Sequence, residues 1–253
     1  MSLYEYRELI KNLVISDLKV KYSNSILGFA WSMLNPMLMM IVLYFVFSNL
    51  YHDKAGLAQF LLIGLFSWRF FANGTTMAMG SIVGKSSLVN KVYIPREVLT
   101  LSSALSSLVS SFLEFIAMIP IIILAGTSLS LTFVLFPLVH VLYFIVIYGI
   151  SLFLASLYVY YRDLNQIWEV IIQIGFFVCP VIYDPQSVVP KQYLPYYMLN
   201  PITVLIGMYR DIFIYGTIPT ASDFLIVIAF GAVLVVAGTM TFNKLSRRFA
   251  EEV

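Results

Sequence analysis

The sequence predicts an all-α polytopic membrane protein. Three observations carry that prediction. Of 253 residues, 60% are hydrophobic and only 11% charged, where a soluble domain carries about 25% charged. The apolar residues gather in runs long enough to cross a bilayer, which takes about 20 residues of helix. The charges gather in short breaks between those runs. Six spans are expected, at about Ile26–Leu50, Leu57–Val83, Val98–Leu124, Leu131–Tyr158, Leu164–Ile182 and Asp223–Phe242.

Before the first span, Leu3–Tyr22 has helical periodicity. Leu3, Tyr6, Ile10, Leu13 and Val14 share one face; Glu5, Glu8, Asn12, Ser16 and Lys19 share the other. Such a helix either lies at the membrane surface or against a partner, or packs as an ordinary helix under the bundle. The N-terminus lacks a charged start followed by an apolar block, so no signal cleavage is expected.

The first span contains Pro36, which either kinks it or marks its real start with Asn35 as cap. Trp31 sits near the entry, where interfacial tryptophans belong. The second span carries Arg69 near its middle, beside Trp68, Phe70 and Phe71.

The stretch Val89–Ser102, VNKVYIPREVLTLS, is a charged hinge between apolar runs. Lys91, Arg96 and Glu97 cannot enter hydrocarbon cheaply, so the chain leaves the bilayer here. Pro95 ends any arriving helix, and a new one restarts with Arg96 and Glu97 in its first turn. A short helix outside the membrane, tied to the foot of a span, suits mechanical contact with a partner.

The third span bears Ser102, Ser103, Ser106, Ser107, Ser110 and Ser111 at helical spacing, pointing towards Glu114. This stripe either lets helices approach closely or lines a hydrated path. The fourth span ends at VYYRDL, where Arg162 and Asp163 mark another exit. After the fifth span, prolines at 180, 185, 190, 195 and 201 exclude a continuous helix. Asn200-Pro201 then starts a short apolar helix, Ile202–Tyr215, closed by Gly216. At that length it reads as a re-entrant or interfacial hairpin between the fifth and sixth spans. A basic tail, KLSRR, follows the last span.

Six spans put both termini on one side. That side holds eleven Lys and Arg residues: 7, 11, 19, 21, 85, 91, 96, 162, 244, 247 and 248. The other holds three, at 54, 191 and 210, with Arg69 inside a span. The excess predicts cytoplasmic termini, hinge and YYRDL turn, and an outward proline-rich segment.

Several chemistries are disfavoured. Gly84-Lys85-Ser86 resembles the end of a phosphate-binding loop, but the first glycine belongs at position 79, which is Met79. His52 and His140 are far apart, and a packed neutral histidine is the expectation for His140. Cys179 is the one cysteine, so neither a disulfide nor a cysteine metal cluster is available. A net charge of +2 does not point to nucleic acid. The charges at membrane depth, Arg69, Glu114, Glu169, Arg210 and Asp211, are functional candidates by default. An Arg69–Glu114 pair would serve either stability or substrate contact. Among the aromatics, Tyr44, Trp68, Phe71, Tyr158 and Tyr161 are candidates for stacking on sugar rings.

Taken together and in order, several segments resemble the membrane permease subunit of ABC-2-type polysaccharide exporters. They are Leu27-Gly28 with Trp31 and Asn35-Pro36, SLVNKVYIPREVLTLS, YYRDL, CPVIYDP and NPITVLIGMYRDIFIYG. The one departure noted is Thr100, where family members often have proline. The resemblance implies export of a lipid-linked polysaccharide, such as an O-antigen, across the cytoplasmic (inner) membrane. It implies a homodimer paired with two copies of a separate ABC ATPase. ATP and magnesium would belong to that subunit, with no cofactor or metal bound by this chain and no enzymatic activity of its own.

It further implies a cytoplasmic interface helix within residues 1–25 and one transmembrane domain over 26–253. Coupling to the ATPase would involve Ser87, Lys91, Tyr93, Pro95, Arg96, Arg162 and Asp163. Leu27, Gly28 and Trp31 would stand at the cytoplasmic entrance. Tyr44, Trp68, Arg69, Phe71 and Glu114 are the channel candidates. Pro180, Tyr183, Asn200, Pro201 and Arg210 would form an outward gate. Three alternatives stay open: an ABC-2 permease for a drug or lipid, a membrane glycosyl or lipid transferase, and an ion-coupled carrier. No acidic metal-binding cluster supports the transferase, and no inverted repeat is evident for the carrier.

Overall fold

The computed structural model describes residues 3–23, 28–48, 56–86, 88, 94–126 and 130–249. These form helices, with no strand among them. We number the principal helices α1 (Arg7–Ser23), α2 (Phe29–Phe47), α3 (Leu57–Met79), α4 (Glu97–Leu124), α5 (Phe136–Tyr160), α6 (Leu164–Val178), α7 (Pro201–Arg210) and α8 (Ala221–Leu245).

Among the described residues, four helical segments are long and apolar enough to cross a membrane: α2, α4, Leu131–Tyr160 and α8. The other two expected spans differ for separate reasons. At 23 residues α3 has the length, but Gln59, Ser67, Arg69, Asn73 and Thr75 lower its apolarity. It sits at the centre of the bundle, with 16 of those 23 residues buried, so Gln59, Ser67 and Thr75 need not meet lipid. Helix α6 stops at Val178, not Ile182, and has 15 residues. At 1.5 Å per residue it is about 22 Å long, short of a ~30 Å hydrocarbon core.

The core is built on α3, α4, α5 and α7. Phe115, Phe136, Tyr143, Tyr209 and Phe213 are fully buried there. His140 lies among them at 1% exposure. It stacks on Phe70 and meets the Tyr209 hydroxyl at 2.7 Å, which makes it the packed histidine expected. Helices α5 and α8 form the most extensive pair. Gly149, Gly231 and Gly238 lie where they meet: a Cβ at Gly149 would stand 2.7 Å from the Leu234 carbonyl carbon. Small residues let membrane helices touch backbone to backbone in this way.

Helix α2 runs through Pro36 rather than starting there. It begins at Phe29, after Gly28 at φ 47°, ψ −123°, a region that L side chains avoid. Helix α1 packs along α4. Leu13 meets Val98 and Leu99, while Glu5, Glu8, Asn12, Ser16 and Lys19 stay exposed. One face of α1 thus packs on α4, while Tyr4, Ile15 and Val20 remain exposed.

Helix α4 restarts at once after Pro95, with Glu97 in its first turn. The proline-rich stretch holds only single turns, Pro185–Val188 and Leu194–Tyr197. The Asn200 side chain caps α7 by accepting from the Ile202 N–H at 3.0 Å, and Pro201 occupies the first turn. After Arg210 the backbone widens into a π-helical turn, Asp211–Tyr215, which ends at Gly216.

Candidate functional site

One end of the bundle gathers the hinge and the ends of two spans. The Arg96 guanidinium donates to the Ser246 carbonyl at 2.8 Å. The Tyr160 hydroxyl donates to the Leu245 carbonyl, also at 2.8 Å. Phe249 packs between Tyr160 and Phe242. Pro95 and Arg96 supply the carbonyls that accept from the Val98 and Leu99 N–H groups, starting α4. Arg162 and Asp163 stand exposed in the turn after α5, and the Arg162 guanidinium lies 5.8 Å from the centre of the Tyr158 ring. Of the coupling candidates, Ser87, Lys91 and Tyr93 lie outside the described residues.

Helix α1 is held to this assembly by charge. The Lys85 ammonium stands 2.7 Å from Asp17 Oδ2 and 3.2 Å from Ser103 Oγ. The cation that mimicked a nucleotide motif is thus engaged with α1. One turn further along α1, Lys21 reaches Glu114 Oε1 at 3.9 Å. Arg69 Nε lies 3.9 Å from the other oxygen, Oε2. Glu114 is 3% exposed, so a carboxylate deep in the bundle is flanked by two cations from different helices. The Arg69–Glu114 proximity was anticipated; Lys21 was not. Its signal was the i, i+4, i+8 spacing of Leu13, Asp17 and Lys21 along one line of α1.

The serine stripe is buried at all six positions. Ser103 and Ser106 face Asp17 at 3.3 and 3.5 Å, while Ser102 and Ser106 also bond back to their own helix. Ser103 and Ser106 therefore seat α1, the packing reading, while Ser107, Ser110 and Ser111 line a small pocket with Lys21 and Glu114.

The channel candidates divide. Trp68 and Phe71 are buried at 7% and 4% exposure. They pack with Trp168 and Phe176, joining α3 to α6. Trp168 donates to Thr75 Oγ1 at 3.1 Å in the same cluster. Trp68 and Arg69 also border a cavity of 320 Å³ between α2 and α3, with Asn35, Pro36 and Asn73. Tyr44 and Trp31 are exposed on α2. Leu27 lies outside the described residues. On α6, where only Trp168 is buried, Gln166, Glu169 and Gln173 are exposed at i, i+3, i+7 spacing. Residue type points to Trp68 and Phe71; of this polar row only Glu169 stands out in the sequence, as a charge at membrane depth.

The gate candidates come together at the other end. Arg210 is 4% exposed, donates to the Val181 carbonyl at 2.8 Å and lies 3.4 Å from the centre of the Phe60 ring. A guanidinium on an aromatic face is favourable, the more so when desolvated. Gly64 makes room: a Cβ there would lie 2.9 Å from Arg210 Nη2 and would strike the Val181 carbonyl. Tyr183 and Tyr197 hydroxyls donate to the Val178 carbonyl at 2.8 and 2.7 Å, covering the end of α6. Their own oxygens are 2.9 Å apart. Asn200 Nδ2 lies 3.6 Å from Cys179 Sγ, and Pro180 is buried beside it. No group of three or more potential metal ligands occurs among the described residues.

Residues 8–214 match the model of the ABC-2 type transporter family. An O-antigen export system permease protein, RfbA, of Klebsiella pneumoniae is 31% identical over 251 residues, covering 96% of this chain and 94% of the relative. The protein of the same name from Myxococcus xanthus is 30% identical over 254 residues, covering 99% and 97%. A polysialic acid transport protein, KpsM, of Escherichia coli is 22% identical over 214 residues, covering 83% and 82%.

Proposed function

The chain belongs to the ABC-2 type transporter family, and from that premise we propose that it is the permease subunit of an exporter for a lipid-linked polysaccharide. The observation that carries this reading is the near full-length similarity to relatives named as O-antigen export permeases. In this reading two copies form the membrane path, with six crossings each and both termini in the cytoplasm. Two copies of a separate ABC ATPase bind ATP and magnesium and drive the cycle.

The hinge, residues 87–96, and the turn at 160–164 receive motion from the ATPase. The Arg96–Ser246 and Tyr160–Leu245 bonds support this role, because they join the two elements through the foot of α8. Movement of the hinge then reaches α1 through Lys85 and α4 through Pro95. Leu27, Gly28 and Trp31 guard the entrance, with Gly28 as the bend between α1 and α2. The faces of α2 and α6 form the path wall, since these helices bury few residues and carry Tyr44, Gln166, Glu169 and Gln173. Trp68, Phe71, Arg69 and Glu114 hold that wall from behind. The α7 hairpin, re-entrant from the outer side, closes the exit, with Arg210 as its fastening.

A polymer must slide, so many weak polar and stacking contacts suit the path better than one tight pocket. Deletion of the gene followed by glycan analysis tests the proposal. Accumulation of one lipid-linked polymer inside the cell is expected. Accumulation of a drug or a simple lipid instead, with the glycan unchanged, would transfer the chain to another substrate class.

A further inference from the structure

At the foot of α5 and α8 lies a cavity of 590 Å³ lined by Leu157, Tyr160, Tyr161, Lys244, Leu245 and Arg247. Its volume falls within the roughly 300–1,000 Å³ of small-molecule sites. Lys244 and Arg247 are exposed, and no carboxylate among the described residues lies within ion-pair distance of either. Two cations and two tyrosines around an opening read as a site for an anion. Arg and Lys side chains are the usual donors to phosphate oxygens.

Two helices end here, and their carbonyl ends would repel an anion. At the end of α8 two carbonyls are engaged, Leu245 O by Tyr160 and Ser246 O by Arg96; at the end of α5, Leu157 O accepts from the Tyr161 N–H. The remaining positive charge of Lys244 and Arg247 is then available to the cavity. The walls at Leu157 and Leu245 are apolar, which suits an amphipathic ligand better than a free ion.

The position of the cavity selects the ligand. It lies where two membrane spans end, Leu131–Tyr160 and Ala221–Leu245. One helical turn into the bilayer from Leu157 and Lys244 are Phe153 and Met240, exposed at 45% and 69%. Residues four apart stack on one helix face, so an apolar track continues directly from the basic opening. Val233 and Val236 extend the exposed apolar surface of α8. Basic pockets between spans at the membrane surface bind anionic lipid head groups.

We infer that this cavity binds the phosphate of an anionic phospholipid whose acyl chains lie along Phe153 and Met240. The ligand fastens the foot of α5 to that of α8, next to the hinge contact at Ser246. The inference depends on these two spans crossing the bilayer and not on what the transporter exports.

The test uses the full-length chain, purified in mild detergent, with native mass spectrometry and thermal unfolding as readouts. Phosphatidylglycerol is compared with phosphatidylcholine of the same acyl chains, with inorganic phosphate, and with a polyisoprenyl diphosphate. Phosphatidylglycerol should be retained and should raise the unfolding temperature; the other three should not match it. Lys244→Gln combined with Arg247→Gln should weaken its retention roughly 30-fold, the expected loss for two basic contacts at a membrane surface. Lys191→Gln, at the opposite end of the bundle, should leave retention unchanged. Equal retention of phosphatidylcholine, or full retention by the double variant, overturns the proposal. Protection by phosphate alone would mean a soluble anion site. Preference for the diphosphate would mean a site for the substrate's anchor. Both would also overturn it.

Discussion

Asp17 Oδ2 and Lys85 Nζ lie 2.7 Å apart, joining the N-terminal helix to the segment that opens the hinge. Both side chains are largely buried, at 13% and 18% exposure. Removing one partner of such a pair leaves an uncompensated charge, at a cost of about 3 kcal/mol. Asp17→Asn and Lys85→Met should each lower the unfolding temperature of the purified chain. The exchange Asp17→Lys with Lys85→Asp should recover at least half of the loss from the single reversals. A double variant as unstable as the two singles added together would mean that the pair is not coupled.

Glu114 should be the sensitive member of the inner cluster. Glu114→Leu leaves Lys21 and Arg69 facing each other without their shared anion, costing about 3 kcal/mol. Lys21→Leu leaves Glu114 with Arg69, and Lys21 is the more exposed partner, so its loss should cost under about 1 kcal/mol. Chemical or thermal unfolding gives the order directly. The reversed pair Arg69→Glu with Glu114→Arg should restore only part of the export lost in each single variant, because Lys21 then faces a second cation. If Lys21→Leu proves the more damaging, the cluster is centred on the wrong residue.

Arg210 should be intolerant of replacement. Arg210→Leu strands the Val181 carbonyl and removes the contact with Phe60, together costing about 3 kcal/mol. Arg210→Lys should recover only part, because an ammonium lacks the planar face that stacks on Phe60. Gly64→Ala should imitate Arg210→Leu, since the added methyl displaces the same guanidinium. Cysteine labelling of the 185–199 stretch would report loosening of the hairpin. Unchanged labelling in all three variants would remove Arg210 as the fastening.

The hinge should separate assembly from coupling. Arg96→Ala cuts the contact with Ser246 while leaving the α4 core intact. The complex with the ATPase should still form, but its ATP hydrolysis should lose its response to the permease. Pro95→Ala should act in the same direction by softening the start of α4. If both variants leave ATP hydrolysis and export at wild-type levels, the hinge is not the transmitting element.

The elements were legible where local chemistry defined them. Pro95, Asn200-Pro201 and Gly216 mark boundaries that need no distant contact. Long apolar runs gave α4, α5 and α8 to within a few residues. The contents of the site were less legible because they depend on helix rotation and on partners far along the chain. Trp68 and Phe71 look like exposed stacking residues by type, yet α3 turns them onto α6. The serine stripe supports two readings by type, and only the placement of α1 brings Asp17 to Ser103 and Ser106. Lys21 and Glu114 are separated by the whole of α2 and α3; the spacing along α1 aligns Lys21 with Leu13 and Asp17 but does not name Glu114 as its partner. Helix α6 fell short of its expected end because it closes at Val178, where Tyr183 and Tyr197 take its last carbonyls.

The central claim is tested most directly by reconstitution. The permease and its ATPase would be placed in vesicles loaded with the lipid-linked polymer that accumulates in the deletion strain. ATP would be supplied on the side of the ATPase, and transfer of polymer to the opposite face followed with a glycan-cleaving enzyme. The account predicts ATP-dependent transfer that Arg96→Ala abolishes. ATP hydrolysis without transfer of any lipid-linked glycan would contradict it.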